Sequence, residues 1–475
     1  MAKFKFYTQD QPLLLPHSLE SKVPVEHISR VINKLIDEFD TSKIESTYSG
    51  MGCRAYHPKI LLKILIYGYS LGIRSSRKLA SMVKENLIFM WLAGMQEPDF
   101  RTINDFRKSK LDNIDFLFNQ LLTSCVELGL VKCGKVFLDG TKLEANSSSN
   151  RMEYRKTLEK RKTLYSDKVA EILKEAEEVD KYEDELYGDH DGSSLEREYS
   201  DEEIRRAVNK VEKKRKQLDT KKEKIEAKLE DIDSKLDRMG DERNSYGKAD
   251  KDSTRMKMKE GYTAPGYNIQ MGSENQVIVG YKVSQKCNDS HELIPMMEVI
   301  KNNLGKLPKY LVTDKGYGTQ SNYEYLEKIE YEGGMIPHQY YDIDRIRVKK
   351  GTYELGKKHD YERLKLKMIH KLNSEKGQKL LKRRKHDIEP VFGDIKHNMN
   401  FRKLLLRGLD KVNIEIGLIA MAHNIKKITK QLENNVLPNA KTVYLTPTFV
   451  LFKLIYCLRD FFMNRLANFM LISAN

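Results

Sequence analysis

Three acidic residues are placed where they could do chemistry. Glu389 follows the basic run Lys379-Leu380-Leu381-Lys382-Arg383-Arg384-Lys385, and Lys396 comes seven residues after it. On a helix, seven residues make about two turns, so Glu389 and Lys396 would share a face. Pro390 suits the first turn of such a helix or kinks one already begun. Asp139 ends the apolar run Val136-Phe137-Leu138, and Asp314 ends Leu311-Val312-Thr313; a glycine follows each closely. Such runs suit buried strands, and an acid at a strand end meets solvent. Three carboxylates brought together repel one another and need cations between them. Hard oxygen donors with open water positions suit Mg²⁺ or Mn²⁺. Two such ions, about 4 Å apart, would activate a water or a 3′-OH and stabilise the leaving oxygen in phosphodiester chemistry. Arg383, Arg384, Lys385 and Lys396 would then hold a nucleic-acid backbone. Each acid also has a plainer reading: a solvated surface pair for Glu389, a turn residue for Asp139 in Asp-Gly.

Two or three domains are expected for 475 residues. Charged residues make up 32% and the net charge is +15, which favours a polyanionic partner. Five scattered cysteines contain no C-x-x-C pair, so neither a zinc site nor a disulfide framework is expected, and the thiols read as reduced and cytoplasmic. Met1 to Pro16 has no signal-peptide pattern. Charges at Lys453, Arg459, Asp460 and Arg465 interrupt the apolar stretch Val443 to Met470, which reads as a packing helix, with a basic interfacial helix as the alternative.

The elements that must carry these residues follow from the pattern. Helices are expected over Val23–Asp40, Pro58–Leu71, Ser75–Leu92, Asp99–Leu111 and Ile114–Leu128. Short helices with tight turns resemble a helix-turn-helix unit. The helix from Asp99 carries Arg101, Arg107 and Lys108, suited to phosphate and base-edge contacts; the alternative is a plain bundle with a polar face. From Met152 to Met239 the composition turns to Lys, Glu, Arg and Asp, with Ile204, Val208, Val211, Leu218, Ile225, Leu229, Ile232 and Leu236 on a heptad seam in which two places, Arg215 and Lys222, are charged. This reads as two long helices folded back as a hairpin, or as a dimerising coiled coil. Strands follow at Tyr262–Met271 and Gln276–Ser284 with a Gly-Ser-Glu-Asn turn, then a helix His291–Leu304, the Asp314 strand, a helix to Ile329 and a short strand Met335–Pro337. Tyr340–Lys379 is basic and poorly periodic and reads as an excursion along DNA, and Asn413–Gln431 as a buried helix. His291 reads as a helix-start residue, Asp394 as a surface acid, and Trp91 as helix core.

These pieces resemble the DDE transposases of bacterial insertion sequences. The resemblance rests on His57-Pro58-Lys59-Ile60-Leu61-Leu62-Lys63, Gly72-Ile73-Arg74-Ser75-Ser76-Arg77 and Pro98-Asp99-Phe100-Arg101-Thr102-Ile103. It continues with Leu138-Asp139-Gly140-Thr141, Pro265-Gly266-Tyr267-Asn268-Ile269-Gln270, Thr313-Asp314-Lys315-Gly316-Tyr317 and Ile388-Glu389-Pro390-Val391-Phe392-Gly393-Asp394-Ile395-Lys396. It implies an α/β fold: an RNase H-like mixed-sheet core, an N-terminal helix-turn-helix-like domain and the helical hairpin as an insertion. The expected domains are 1–130 helical, 131–151 with 246–432 catalytic, 152–245 inserted hairpin and 433–475 tail. Asp139, Asp314 and Glu389 would be the metal-binding triad, cutting DNA at terminal repeats and joining the 3′-OH to a target, in a homodimer on double-stranded DNA and without a membrane. Related transposases carry Tyr-x2-Arg-x3-Glu-x6-Lys; here Lys396 holds the lysine place, Lys385 the arginine place and Lys382 the tyrosine place. A non-catalytic DNA-binding protein with a coiled-coil dimeriser, or a nuclease of the same fold, remain as alternatives.

Overall fold

The computed structural model describes residues 18–48, 54–187, 201–241, 243–353, 356 and 359–435. Met1 to Pro16, most of the acidic connection between the hairpin helices, Cys53, Cys457 and the apolar stretch Val443 to Met470 lie outside the described residues.

The chain opens on helices: α1 (Leu19–Lys22), α2 (Ile28–Glu38), α3 (Ser42–Glu45), α4 (Pro58–Ser70), α5 (Ser76–Glu85), α6 (Leu87–Leu92), α7 (Phe100–Ser109) and α8 (Ile114–Glu127). Side chains start them as their sequence signals require: Ser75 caps α5, and Asp99 Oδ1 accepts from Thr102 N–H at 2.7 Å to cap α7. The single helix expected over Ser75–Leu92 divides at Asn86. Its Oδ1 accepts from the N–H groups of Ile88 and Phe89, so the side chain stops one helix and caps the next. Gly72, between α4 and α5, has φ +72°, and a Cβ there would lie 2.7 Å from the Met399 carbonyl oxygen; both facts demand glycine.

Next come β1 (Lys135–Glu144), β2 (Met152–Tyr154), α9 (Arg155–Tyr187), α10 (Asp201–Met239), β3 (Ser245–Gly247), β4 (Thr254–Lys257), β5 (Thr263–Glu274) and β6 (Val277–Ser284). The two long helices form the antiparallel hairpin. Leu158 packs with Ile232 and Met239 near its root, and Val179 with Val211 and Leu218 farther out. The ribbon β2–β3, which the sequence did not announce, closes its base. The β5–β6 turn is Asn275-Gln276, with φ of 54° and 64°, one residue pair later than the Gly-Ser-Glu-Asn turn expected. Gly272 and Ser273 instead form a bulge within the paired strands.

The chain continues through α11 (Leu293–Leu304), β7 (Tyr310–Val312), α12 (Gln320–Lys328), β8 (Gly334–Met335), α13 (Tyr341–Lys350), α14 (His359–Asn373), α15 (Glu375–Gly393) and α16 (Leu409–Asn435). The basic excursion expected over Tyr340–Lys379 is corrected: it folds into α13, α14 and the start of α15. Leu364, Met368, Ile369 and Leu372 give α14 one buried stripe, which the intervening bases obscured.

The sheet is mixed. β1 pairs antiparallel with β5 and parallel with β7, and β7 pairs parallel with β8. β5 also takes β4 along its first part and β6 along its second. One continuous hydrophobic core runs from Ile32 in α2 through the sheet to Ile428 in α16. Burial of this apolar surface is the main stabilising term. α15 is tied to the β5–β6 turn by Asp387, buried, which accepts from Ser273 Oγ (2.8 Å), Asn275 N–H (2.9 Å) and Gln276 N–H (3.0 Å). Asp387→Ala leaves these donors without their acceptor and is expected to cost on the order of 2–3 kcal/mol in urea unfolding; an unchanged midpoint would refute this role.

Candidate active site

The register of β1 against β7 sets the site. Lys135, Val136 and Phe137 pair with Tyr310, Leu311 and Val312. Asp139 and Asp314 each lie two residues past the last pair, and both are at the same level because residues two apart share a face. β1 runs on to Glu144 along β5, so Asp139 sits within a strand rather than at its end. Asp314 closes the short β7 and accepts from Gly316 N–H at 2.8 Å at the start of a 3₁₀ turn, Lys315–Tyr317.

Arg384 of α15 joins the two acids. Its Nη1 donates to Asp139 Oδ2 at 2.9 Å, and its charge also acts on Asp314. Burial pushes the Asp139 carboxyl up to about 6; the Asp314 charge adds to this, and Arg384 and the Gly140 N–H oppose it. Asp314 is raised too, by burial first, with Asp289 adding and Gly316 N–H and Arg384 opposing.

Asp289, which the sequence reading passed over, is the third acid here. It opens a 3₁₀ turn, Asp289–His291. Its Oδ1 accepts from Asn268 Nδ2 at 2.7 Å and Gln270 Nε2 at 2.6 Å. The available signal was period-two: Asn268 and Gln270 are polar on a strand whose neighbours Tyr267, Ile269 and Met271 are apolar and buried.

The other expected site residues are distributed more widely. Glu389 is exposed, and it is not among the charges that act on Asp314 or act most strongly on Asp139. It lies on α15 one residue before Pro390, and a π-helical turn, Asp394–Asn398, follows that helix. The two-turn spacing to Lys396 is therefore not that of a regular helix. Lys396 is half-buried and donates to the Lys142 carbonyl at 3.0 Å, beside Glu144, Glu260, Tyr262 and Arg402. Asp394 fastens the turn to α16: it accepts from His423 Nδ1 (2.8 Å) and Lys426 Nζ (2.7 Å). Burial alone would raise its carboxyl, but these bonds and that from Asn398 hold it well below the usual range. His291 is exposed, with Glu292 rather than His291 at the α11 N-cap. Trp91 is half-buried, with the Arg30 guanidinium 5.7 Å from its ring centre.

Among the bases expected on DNA, Arg101, Lys108, Arg383 and Lys385 are exposed, and Arg383 donates to Asn275 Oδ1 at 2.9 Å. Two expectations are corrected. Arg107 is fully buried, donating to the Arg74 carbonyl (2.7 Å), Tyr69 Oη, Ser76 Oγ and Asn104 Oδ1, so it holds the helical region together and does not face a ligand. Arg384 is bonded to Asp139 and not displayed to a backbone.

The donor chemistry fits a hard divalent cation at the Asp139–Asp314 pair: two carboxylates, both raised by burial, sharing the charge of one guanidinium. Among the described residues no three acids, histidines or cysteines form a closed metal-holding group, and Glu389 is outside the pair.

Residues 17–109 match the family described as Transposase domain (DUF772), and residues 224–425 match Transposase DDE domain. No curated protein and no solved structure matches the chain. The two matched regions span more than half of the chain. The second holds Asp289, Asp314 and Glu389 and begins within α10, so β1 and Asp139 lie outside both matched regions. The fold is that of an RNase H-like core with an N-terminal helical region, and the chain belongs to the DDE-type insertion-sequence transposases.

The raised Asp139 carboxyl gives a pH prediction. The folded metal-free protein holds this proton more tightly than the unfolded chain does, so it loses stability as pH rises from the ordinary carboxylate range to about 6, and no further. A metal ion competes with the same proton. Mn²⁺ affinity measured by calorimetry is expected to be flat above pH 6 and to fall as pH drops below about 6. Asp139→Asn is expected to weaken binding and flatten the profile; a wild-type profile without this fall would contradict the assignment.

Proposed function

We propose that this transposase binds the terminal repeats of its element, cuts the DNA strand there and joins the freed 3′-OH to a target. The observation that carries this reading is the Asp139–Arg384–Asp314 constellation at the matched ends of β1–β7 pairing in a chain of net charge +15. Asp139 and Asp314 would hold Mg²⁺ or Mn²⁺ between them, and the metal would supply Lewis-acid activation of the attacking oxygen. The chain's own residues do the rest. Asp139 and Asp314 fix the metal position on the sheet. Arg384 offsets their charge while no cation is bound. Glu389, on the same helix as Arg384, would complete the set in the DNA complex. Arg383, Lys385 and Lys396 line the approach, and Arg101 and Lys108 on the exposed side of α7 contact the repeat.

The hairpin seam is filled within one chain, Val179 against Val211 and Leu218. That favours an insertion folded on itself over a dimerising coiled coil, so a homodimer on DNA would pair through other surfaces. Among the described residues no helix is long and apolar enough to cross a membrane.

The test is nicking of labelled DNA bearing the element's ends, in Mg²⁺ and in EDTA. Wild type is expected to nick at the repeat ends only with metal. Asp139→Ala, Asp314→Ala and Glu389→Gln are each expected to bind the ends but to lower nicking by at least about a thousandfold, several kcal/mol of transition-state stabilisation. End binding with no metal-dependent nick in the wild type would favour a non-catalytic DNA-binding protein; nicking without joining would favour a nuclease.

A further inference from the structure

Asp289 packs against the residues that follow both acids, although it lies on a different segment from either. Gln270 sits opposite Gly140 in the β1–β5 register. A Cβ on Gly140 would lie 2.4 Å from Asp289 Oδ1 and 2.5 Å from Gln270 Nε2. The glycine after Asp139 is thus what lets the Asp289 carboxylate lie against β1. On the other side, a Cβ on Gly316 would lie 3.6 Å from Asp289 Cβ and 3.7 Å from its Oδ2, so Asp289 also packs against the turn that Asp314 begins. Its Oδ1 is clamped by two amides of β5, and Gln270 Oε1 in turn accepts from the buried Tyr317 hydroxyl. Asn322 Nδ2 closes the frame by donating to the Ser290 carbonyl (2.8 Å) and the Tyr317 carbonyl (2.7 Å).

We propose that Asp289 is a positioning residue: clamped by Asn268 and Gln270, it spans Gly140 and Gly316 and sets the spacing at which Asp139 and Asp314 take a shared divalent cation. This rests on the active-site reading above. The alternative for such a buried-edge aspartate is a fold-stabilising contact alone, and the two differ in what they move. A ligand's orienting partner changes metal affinity by about 10- to 100-fold when lost; a purely structural contact changes stability and leaves affinity in the folded protein intact.

The experiment measures Mn²⁺ binding to the full chain by electron paramagnetic resonance, with melting temperature and end-DNA binding recorded alongside. Asp289→Ala is expected to weaken Mn²⁺ binding about 10- to 100-fold in protein that still binds DNA ends. Asp289→Asn keeps an oxygen for the two amides and is expected to restore most of that affinity. Gln270→Met, which removes one clamp and leaves Asp289, is expected to weaken binding in the same direction, and it carries the test if Asp289→Ala does not fold. Wild-type affinity in both Asp289→Ala and Gln270→Met would overturn the proposal. Asp289→Asn as damaged as Asp289→Ala would also overturn it, making the charge itself the requirement. A wild type that binds no Mn²⁺ would instead refute the active-site reading beneath it.

Discussion

Two carboxylates that cannot both carry charge comfortably without a cation beside them organise this molecule. The parallel pairing of β1 with β7 ends at Phe137 and Val312, and the next same-face residue on each side is an acid. Burial penalises both charges, and like-charge repulsion adds to the penalty at Asp139. Arg384 relieves it, and to do so α15 must lie across the sheet. Asp387 on the same helix, bonded to the β5–β6 turn, holds it there. The site is thus a product of strand register and helix placement, not of any contiguous motif.

The N-terminal helices are built into this arrangement. The α4–α5 turn sits on the segment just beyond the π-helical turn: Gly72 against Met399, Arg74 donating to the Lys403 carbonyl, and Tyr69 stacked on Phe401 at 5.3 Å. Lys403 in turn bridges to Glu144 at the far end of β1. Glu415, buried in α16, accepts from the N–H groups of Leu405 and Leu406 and completes the junction. A chain of contacts therefore runs from the helical region to the end of the helix that carries Glu389.

Much of this was legible in the sequence, for identifiable reasons. Caps at Ser75 and Asp99, the apolar runs before Asp139 and Asp314 and the heptad seam at Val211 and Leu218 each state a local preference that the fold keeps. Other features depend on partners far along the chain. Nothing local says that Arg107 is consumed by Tyr69, Arg74, Ser76 and Asn104, because an arginine on an amphipathic helix looks the same whether it faces solvent or a neighbouring turn. Arg384 and Asp289 were hidden likewise: one lay in a basic run, the other in a polar loop, and only the sheet brings them to Asp139. The spacing from Glu389 to Lys396 reads as two regular helical turns, but Lys396 falls within the π-helical turn Asp394–Asn398.

The central claim is that Asp139 and Asp314 share one cation position, held by Arg384 until metal replaces it. The direct measurement is a crystal structure with Mn²⁺ and end DNA, read by the anomalous signal of the metal. The account predicts a manganese peak bonded to both Asp139 and Asp314, Arg384 withdrawn from Asp139 and Glu389 turned inward. A peak at other residues, or an Arg384–Asp139 pair intact with metal bound elsewhere, would contradict it.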